Sequence, residues 1–82
     1  MESNIEAYNL SQRALADIKT AIFLFLKVNA GGSKNSEIGK ALGIYQGHSG
    51  KHEGHISRTL LEQMRTEGIV KQDDETKKWS LT

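Results

Sequence analysis

An uninterrupted helical pattern near the start of the chain limits the possible folds more than any other feature. No glycine or proline occurs from Ser11 to Val28, and the apolar residues there share one side of a helix with 3.6 residues per turn. These apolar residues are Ala14, Leu15, Ile18, Ile22, Phe25 and Leu26. Asn9 or Ser11 can cap the start, and residues 29–33 contain glycines that can end the helix. The pattern predicts a long amphipathic helix after an N-terminal extension over residues 1–10.

Two shorter helices and a hairpin are predicted for the rest of the chain. Residues 35–43 begin with a polar cap and end at Gly43, and residues 55–67 form a second amphipathic stretch that ends at Gly68. The predicted apolar flank of the later helix consists of Ile56, Leu60, Leu61 and Met64. Residues 69–72 and 77–81 are short strand candidates around a polar turn. The predicted fold is therefore mainly α with a small β-hairpin.

The size of the chain and its lack of cysteine limit the kinds of protein it can be. A chain of 82 residues forms one domain, here residues 11–82, with a compact core. Without cysteine, neither a disulfide nor a thiolate zinc site can supplement that core. The longest apolar run, Ala21 to Leu26, is far shorter than the roughly 20 residues that span a bilayer. The first residues lack the pattern of a secretory signal, so we expect a cytoplasmic protein without membrane contact.

The charge distribution shows only a weak basic bias. The net charge is +1, which does not by itself indicate a nucleic-acid-binding protein. Residues 33–71 carry six basic and four acidic side chains, an excess of two positive charges. The acidic run over residues 73–75 then reverses the sign locally.

The segment GHSGKHEGH, residues 47–55, contains all three histidines of the chain. A phosphate-binding loop needs four residues between its first glycine and the Gly-Lys pair, whereas only two separate Gly47 from Gly50. His48, His52, Glu53 and His55 are possible metal ligands, but structural zinc sites usually include cysteine and need rigid geometry. The alternative is a solvated loop with partly protonated histidines. We expect no metal site and no cofactor.

Sequence patterns typical of catalysis are also missing. The chain has no cysteine nucleophile, and no serine lies in a G-x-S-x-G elbow. Ser49 follows His48 directly, but a catalytic triad requires groups that converge in space. We therefore do not expect an enzyme.

Phe23 and Leu24 point away from the apolar face of the first helix. Each lies roughly 100° or more from that face, because successive helical residues are 100° apart. Two explanations remain open. The N-terminal segment with Ile5, Tyr8 and Leu10 can fold back over them, or the first helix can form a homodimer through them.

The order of three segments resembles the winged helix-turn-helix family of DNA-binding domains. The segments are NSEIGKALGI, GHISRTLLEQMRTEGIV and KQDDETKKWSLT, and the resemblance covers residues 14–82. It rests on Ser36-Glu37-Ile38, the turn residue Gly43, Ser57-Arg58, and Gly68-Ile69-Val70 before a hairpin that contains Trp79. It implies a three-helix winged helix-turn-helix whose helix at residues 55–67 reads double-stranded DNA.

The resemblance also implies which side chains contact DNA. They are Ser36, Lys51, His52, His55, Ser57, Arg58, Thr59 and Arg65. A glycine-rich segment before a helix exposes backbone N–H groups to phosphate, so residues 47–55 can act as an enlarged turn that grips the DNA backbone. The alternative is a disordered insertion.

Three functions are consistent with this sequence. The first is a DNA-binding module, either a small transcriptional regulator or an ancillary DNA-recognition domain. The second is a winged helix that binds another protein without touching DNA, because a fold does not determine a function. The third is a metal- or pH-responsive regulator that uses the three histidines.

Overall fold

The computed structural model describes residues 4–45 and 54–82. Three helices come first: α1 is Asn4–Val28, α2 is Asn35–Ala41 and α3 is His55–Thr66. Two strands follow, β1 at Val70–Gln72 and β2 at Trp79–Leu81, and they pair antiparallel. This architecture confirms the predicted fold, mainly α with a small β-hairpin.

Helix α1 begins at Asn4, earlier than the predicted start at Ser11. Residues 4–10 contain no glycine or proline, so the polar residues before Ser11 do not interrupt the helix. These residues are therefore part of α1 and not a separate extension. The hypothesis that Tyr8 folds back over Phe23 is wrong, since the two lie on one continuous helix, about 22 Å apart at 1.5 Å per residue.

One apolar core joins all five elements. Its buried members are Ile22, Leu26, Ile38, Leu60, Leu61, Met64, Val70 and Trp79. Ile56 is not among them, because its side chain is 47% exposed. It lies in the first turn of α3 and lines a shallow groove with Leu15, which is itself partly exposed. The helical wheel gave the direction of Ile56 correctly, but the core does not extend as far as the first turn of α3.

Trp79 connects the hairpin to the segment between α1 and α2. The N–H of Trp79 donates to the carbonyl of Ser33 at 2.7 Å, and the N–H of Ser33 donates to the carbonyl of Trp79 at 2.9 Å. Gly32 precedes this bridge with a φ of 96°, a backbone conformation that favours glycine. The bridge adds a short third segment beside β2, which the sequence pattern did not predict.

Candidate nucleic-acid interface

A groove lies where the start of α2, the exposed side of α3 and the hairpin meet. We call it the basic groove; among the side chains that line it are Lys34, Ser36, Arg58, Glu62 and Lys77. Among the described residues, its cations come from the residue before α2, from α3 and from the hairpin turn. Glu62 of α3 is the acidic side chain of this lining.

Arg58 is the cation that α3 contributes to this groove. It lies in the first turn of α3, its side chain is exposed, and its backbone N–H donates to the Gly54 carbonyl at 2.9 Å. Within residues 4–45 and 54–82, its guanidinium makes no hydrogen bond or ion pair. The guanidinium of Arg58 is therefore available to an external acceptor.

Arg65 lies about two helical turns after Arg58 in α3, and two neighbouring side chains hold its guanidinium in place. Its guanidinium pairs with the carboxylate of Glu62, and its central carbon lies 5.4 Å from the centroid of the Trp79 ring. The contact with Trp79 is a cation–π interaction that ties α3 to β2. Arg65 remains about half exposed, so a DNA contact through it stays a prediction.

Ser57 does not line the groove, and its assignment as a DNA-contacting residue is wrong. Its side chain is 0% exposed, and its hydroxyl donates to Oδ1 of Asn35 at 2.7 Å. Nδ2 of Asn35 in turn donates to the Gly54 carbonyl at 3.1 Å. Ser57 therefore joins the start of α3 to the start of α2 and cannot reach a ligand. No spacing in the sequence indicates this pairing, because the two residues are 22 positions apart.

Gly54 and Tyr45 complete the junction between α2 and α3. Gly54 has a φ of 77°, and a Cβ at this position would lie 2.5 Å from Nδ2 of Asn35 and 2.8 Å from Cε1 of Tyr45. The amine of Lys40 lies 5.3 Å from the centroid of the Tyr45 ring. Close packing at Gly54 thus determines where α3 begins and which direction Arg58 faces.

Replacing Asn35 with alanine should lower the free energy of unfolding by about 1–3 kcal/mol. The change removes both hydrogen bonds of the Asn35 amide, to the Ser57 hydroxyl and to the Gly54 carbonyl, and each is worth about 0.5–1.5 kcal/mol. Urea denaturation followed by circular dichroism measures the loss. The matched control is Asn29→Ala, which removes an exposed hydrogen bond to the Phe25 carbonyl and should cost under about 0.5 kcal/mol. Equal losses in the two variants would contradict the role assigned to Asn35.

His55 and Thr59 lie on a different side of α3 from Arg58. Both line the shallow groove toward α1, together with Leu15, Ile56, Leu60 and Gln63. Of the predicted contacts on α3, Arg58 therefore lines the basic groove, whereas His55 and Thr59 line the shallow groove. Ser36, in contrast, lines the basic groove with Arg58, as a contact at the start of α2 requires.

Two predicted contacts, Lys51 and His52, lie outside the described residues. So do His48 and Glu53, and the metal-site question for this segment stays a prediction. Within the part of the chain that the structure describes, no three side chains of the His, Cys, Asp or Glu type come together as metal ligands would.

The sequence interpretation did not identify Lys34 and Lys77 as site residues. Lys34 immediately precedes α2, and its backbone N–H donates to the Glu37 carboxylate at 2.7 Å. Its position next to the predicted cap of this helix is the sequence feature that could have identified it as a site residue. Lys77 adopts a φ of 65° in the hairpin turn, and no local pattern predicts that it lines the basic groove.

The acidic run of the hairpin is partly used by the turn itself. Oδ2 of Asp73 accepts hydrogen bonds from the backbone N–H groups of Thr76 at 2.7 Å and Glu75 at 3.0 Å. The hydrogen bond from Thr76 is the main reason that the pKa of the Asp73 carboxyl lies below its usual value. Asp73 therefore shapes the turn that carries Lys77.

No known protein family, curated protein or solved structure matches this chain. Among the helices that the structure describes, none is both long and apolar enough to cross a membrane. The side chains of the two grooves and the exposed surface of α1 are therefore the parts of the structure that bear on function.

Proposed function

We propose that this domain binds double-stranded DNA with α3, as a small transcriptional regulator or as an ancillary DNA-recognition domain. One observation carries the proposal: Arg58 lies exposed in the first turn of α3, without a partner among the described residues, and lines the basic groove together with Lys34 and Lys77. The resemblance to winged helix-turn-helix domains supports the same function, because it assigns the role of recognition helix to residues 55–67.

Each cation of the basic groove has a distinct role in this proposal. The first turn of a recognition helix ordinarily reaches base edges in the major groove, and an arginine there can make two hydrogen bonds to guanine. Arg58 has this position. Lys34 and Lys77 line the same groove and contact phosphates, which orient the domain without reading sequence. Glu62 repels phosphate from the middle of α3 and favours base contact near its start.

Salt dependence tests the phosphate contacts directly. Affinity for DNA falls with a slope of about 0.9 log units per tenfold change in salt for each phosphate neutralised. Fluorescence anisotropy with a labelled duplex should show a reduction of that slope by about one unit for Lys77→Ala, with weaker binding to all sequences alike.

Lys27→Ala is the control for this measurement, because Lys27 is in the last turn of α1 and does not line the basic groove. It should bind DNA as the wild type does. If the wild-type protein shows no salt-dependent binding to any duplex, the DNA-binding proposal fails.

The second candidate is a protein-binding domain. The observation that favours it is the shallow groove between α1 and α3, whose lining includes the apolar side chains of Leu15, Ile56 and Leu60. Exposed apolar surface of this kind is typical of protein contacts. This function would replace the first if DNA binding is not observed.

A further inference from the structure

The N-terminal half of α1 projects beyond the domain core. Every residue from 4 to 17 is exposed, and the buried residues of α1 are Ile22 and Leu26. The projecting part is about 20 Å long at 1.5 Å per residue. Most helical stability in proteins comes from the packing of an apolar face, and within the described residues this part has no buried side chain that packs in this way.

One face of the projecting part suits close helix packing. Ala7, Leu10 and Ala14 follow one another at intervals of three and four residues, which places them along one side of α1. Glu6 and Arg13 border this side on the same edge, and both line a shallow groove with Leu10. Over the described ranges, neither of the two charged side chains takes part in an ion pair.

The charges of this part disfavour DNA and membrane as its partner. Residues 4–17 contain Glu6, Asp17 and Arg13, a net charge of −1. Helices that bind anionic lipid surfaces or phosphate carry an excess of lysine and arginine. A partner helix with the opposite order of charges fits this surface better, and a second copy of α1 in the antiparallel direction has that order.

We propose that two copies of this chain pair through antiparallel contact of their α1 helices, centred between Asn9 and Leu10. In this arrangement Glu6 of each copy lies beside Arg13 of the other, so that two equivalent ion pairs flank the apolar contact. The alanines allow the helices to approach closely. A parallel pair would separate the opposite charges by about 10 Å along the axis, because seven residues lie between their levels.

This pairing determines where the two domain bodies lie. The side of α1 with Ile22 and Leu26 is roughly 90° from the pairing side, at 100° per residue. A two-fold axis perpendicular to the helix pair therefore leaves both bodies on the same side, about 40 Å apart along α1. Under the proposed function, on which this step rests, a separation of this size is comparable to the spacing of DNA half-sites one helical turn apart.

Charge reversal with rescue tests the pairing without DNA. Sedimentation equilibrium of the full chain should show that Glu6→Arg and Arg13→Glu each raise the dimer dissociation constant about tenfold, because each change replaces two attractions by two repulsions. An equimolar mixture of the two variants should associate as the wild type does, since the mixed pair restores both attractions. The double variant Glu6→Arg/Arg13→Glu should also dimerise with the wild-type dissociation constant, because both ion pairs are restored with their charges exchanged.

Two further variants make the test decisive. Lys27→Glu reverses a charge of α1 outside the paired part and should leave the dissociation constant unchanged. Phe23→Ser/Leu24→Ser tests the other exposed apolar pair of α1, and it should also leave the constant unchanged. A monomeric wild-type protein, or a mixture that does not recover association, would overturn the proposal. Because no DNA is present, a failure of the DNA-binding function leaves this result intact.

Discussion

Arg58→Ala should lower the affinity for a specific duplex by about 5- to 150-fold, the loss expected from one arginine–guanine contact worth roughly 1–3 kcal/mol. The guanidinium of Arg58 is exposed and makes no ion pair with the described residues, so its removal should not unfold the domain. Binding to random-sequence DNA should fall much less. The measurement is anisotropy with a duplex selected from a random library and a scrambled duplex of the same length.

The alternative explanation for Arg58 is an ordinary solvated side chain on the surface of α3. In that case Arg58→Ala would bind both duplexes as the wild type does. The assignment of α3 as the DNA-reading helix would then be wrong, and the protein-binding function would take its place. Thermal melting of the variant separates this outcome from a loss of folded protein.

Trp79→Ala should lower the free energy of unfolding by about 3–5 kcal/mol. The Trp79 side chain is 2% exposed, packs in the core and lies beneath the guanidinium of Arg65. The free energy of unfolding of small domains is about 0.05–0.15 kcal/mol per residue, which gives roughly 4–12 kcal/mol for a domain of this size. The loss therefore removes a large part of its stability. Urea denaturation followed by far-ultraviolet circular dichroism measures the change.

Trp79→Phe is the matched variant, because it keeps an aromatic ring at the same position. Trp79→Phe should lose much less free energy of unfolding than Trp79→Ala, and it should retain a weaker cation–π contact with Arg65. If the free energy of unfolding of Trp79→Ala lies within about 1 kcal/mol of the wild-type value, the Trp79 side chain does not have the role in the core assigned to it here.

The sequence by itself determined the number, type and order of the elements. Apolar spacing near 3.6 residues, glycines after each helix and alternation in the last residues are local signals, and they predicted three helices and a hairpin. They also placed Arg58 on the exposed side of α3, because direction around a helix follows from residue number.

Only the tertiary structure decided which side chains are covered and which come together. Ser57 and Arg58 are adjacent in sequence, yet Ser57 is buried against Asn35 while Arg58 faces the basic groove. Lys34 and Lys77 join Arg58 there because the Ser33–Trp79 bridge brings the start of α2 beside the hairpin. Such contacts join residues far apart in the chain, and their energy depends on packing geometry that local periodicity does not contain.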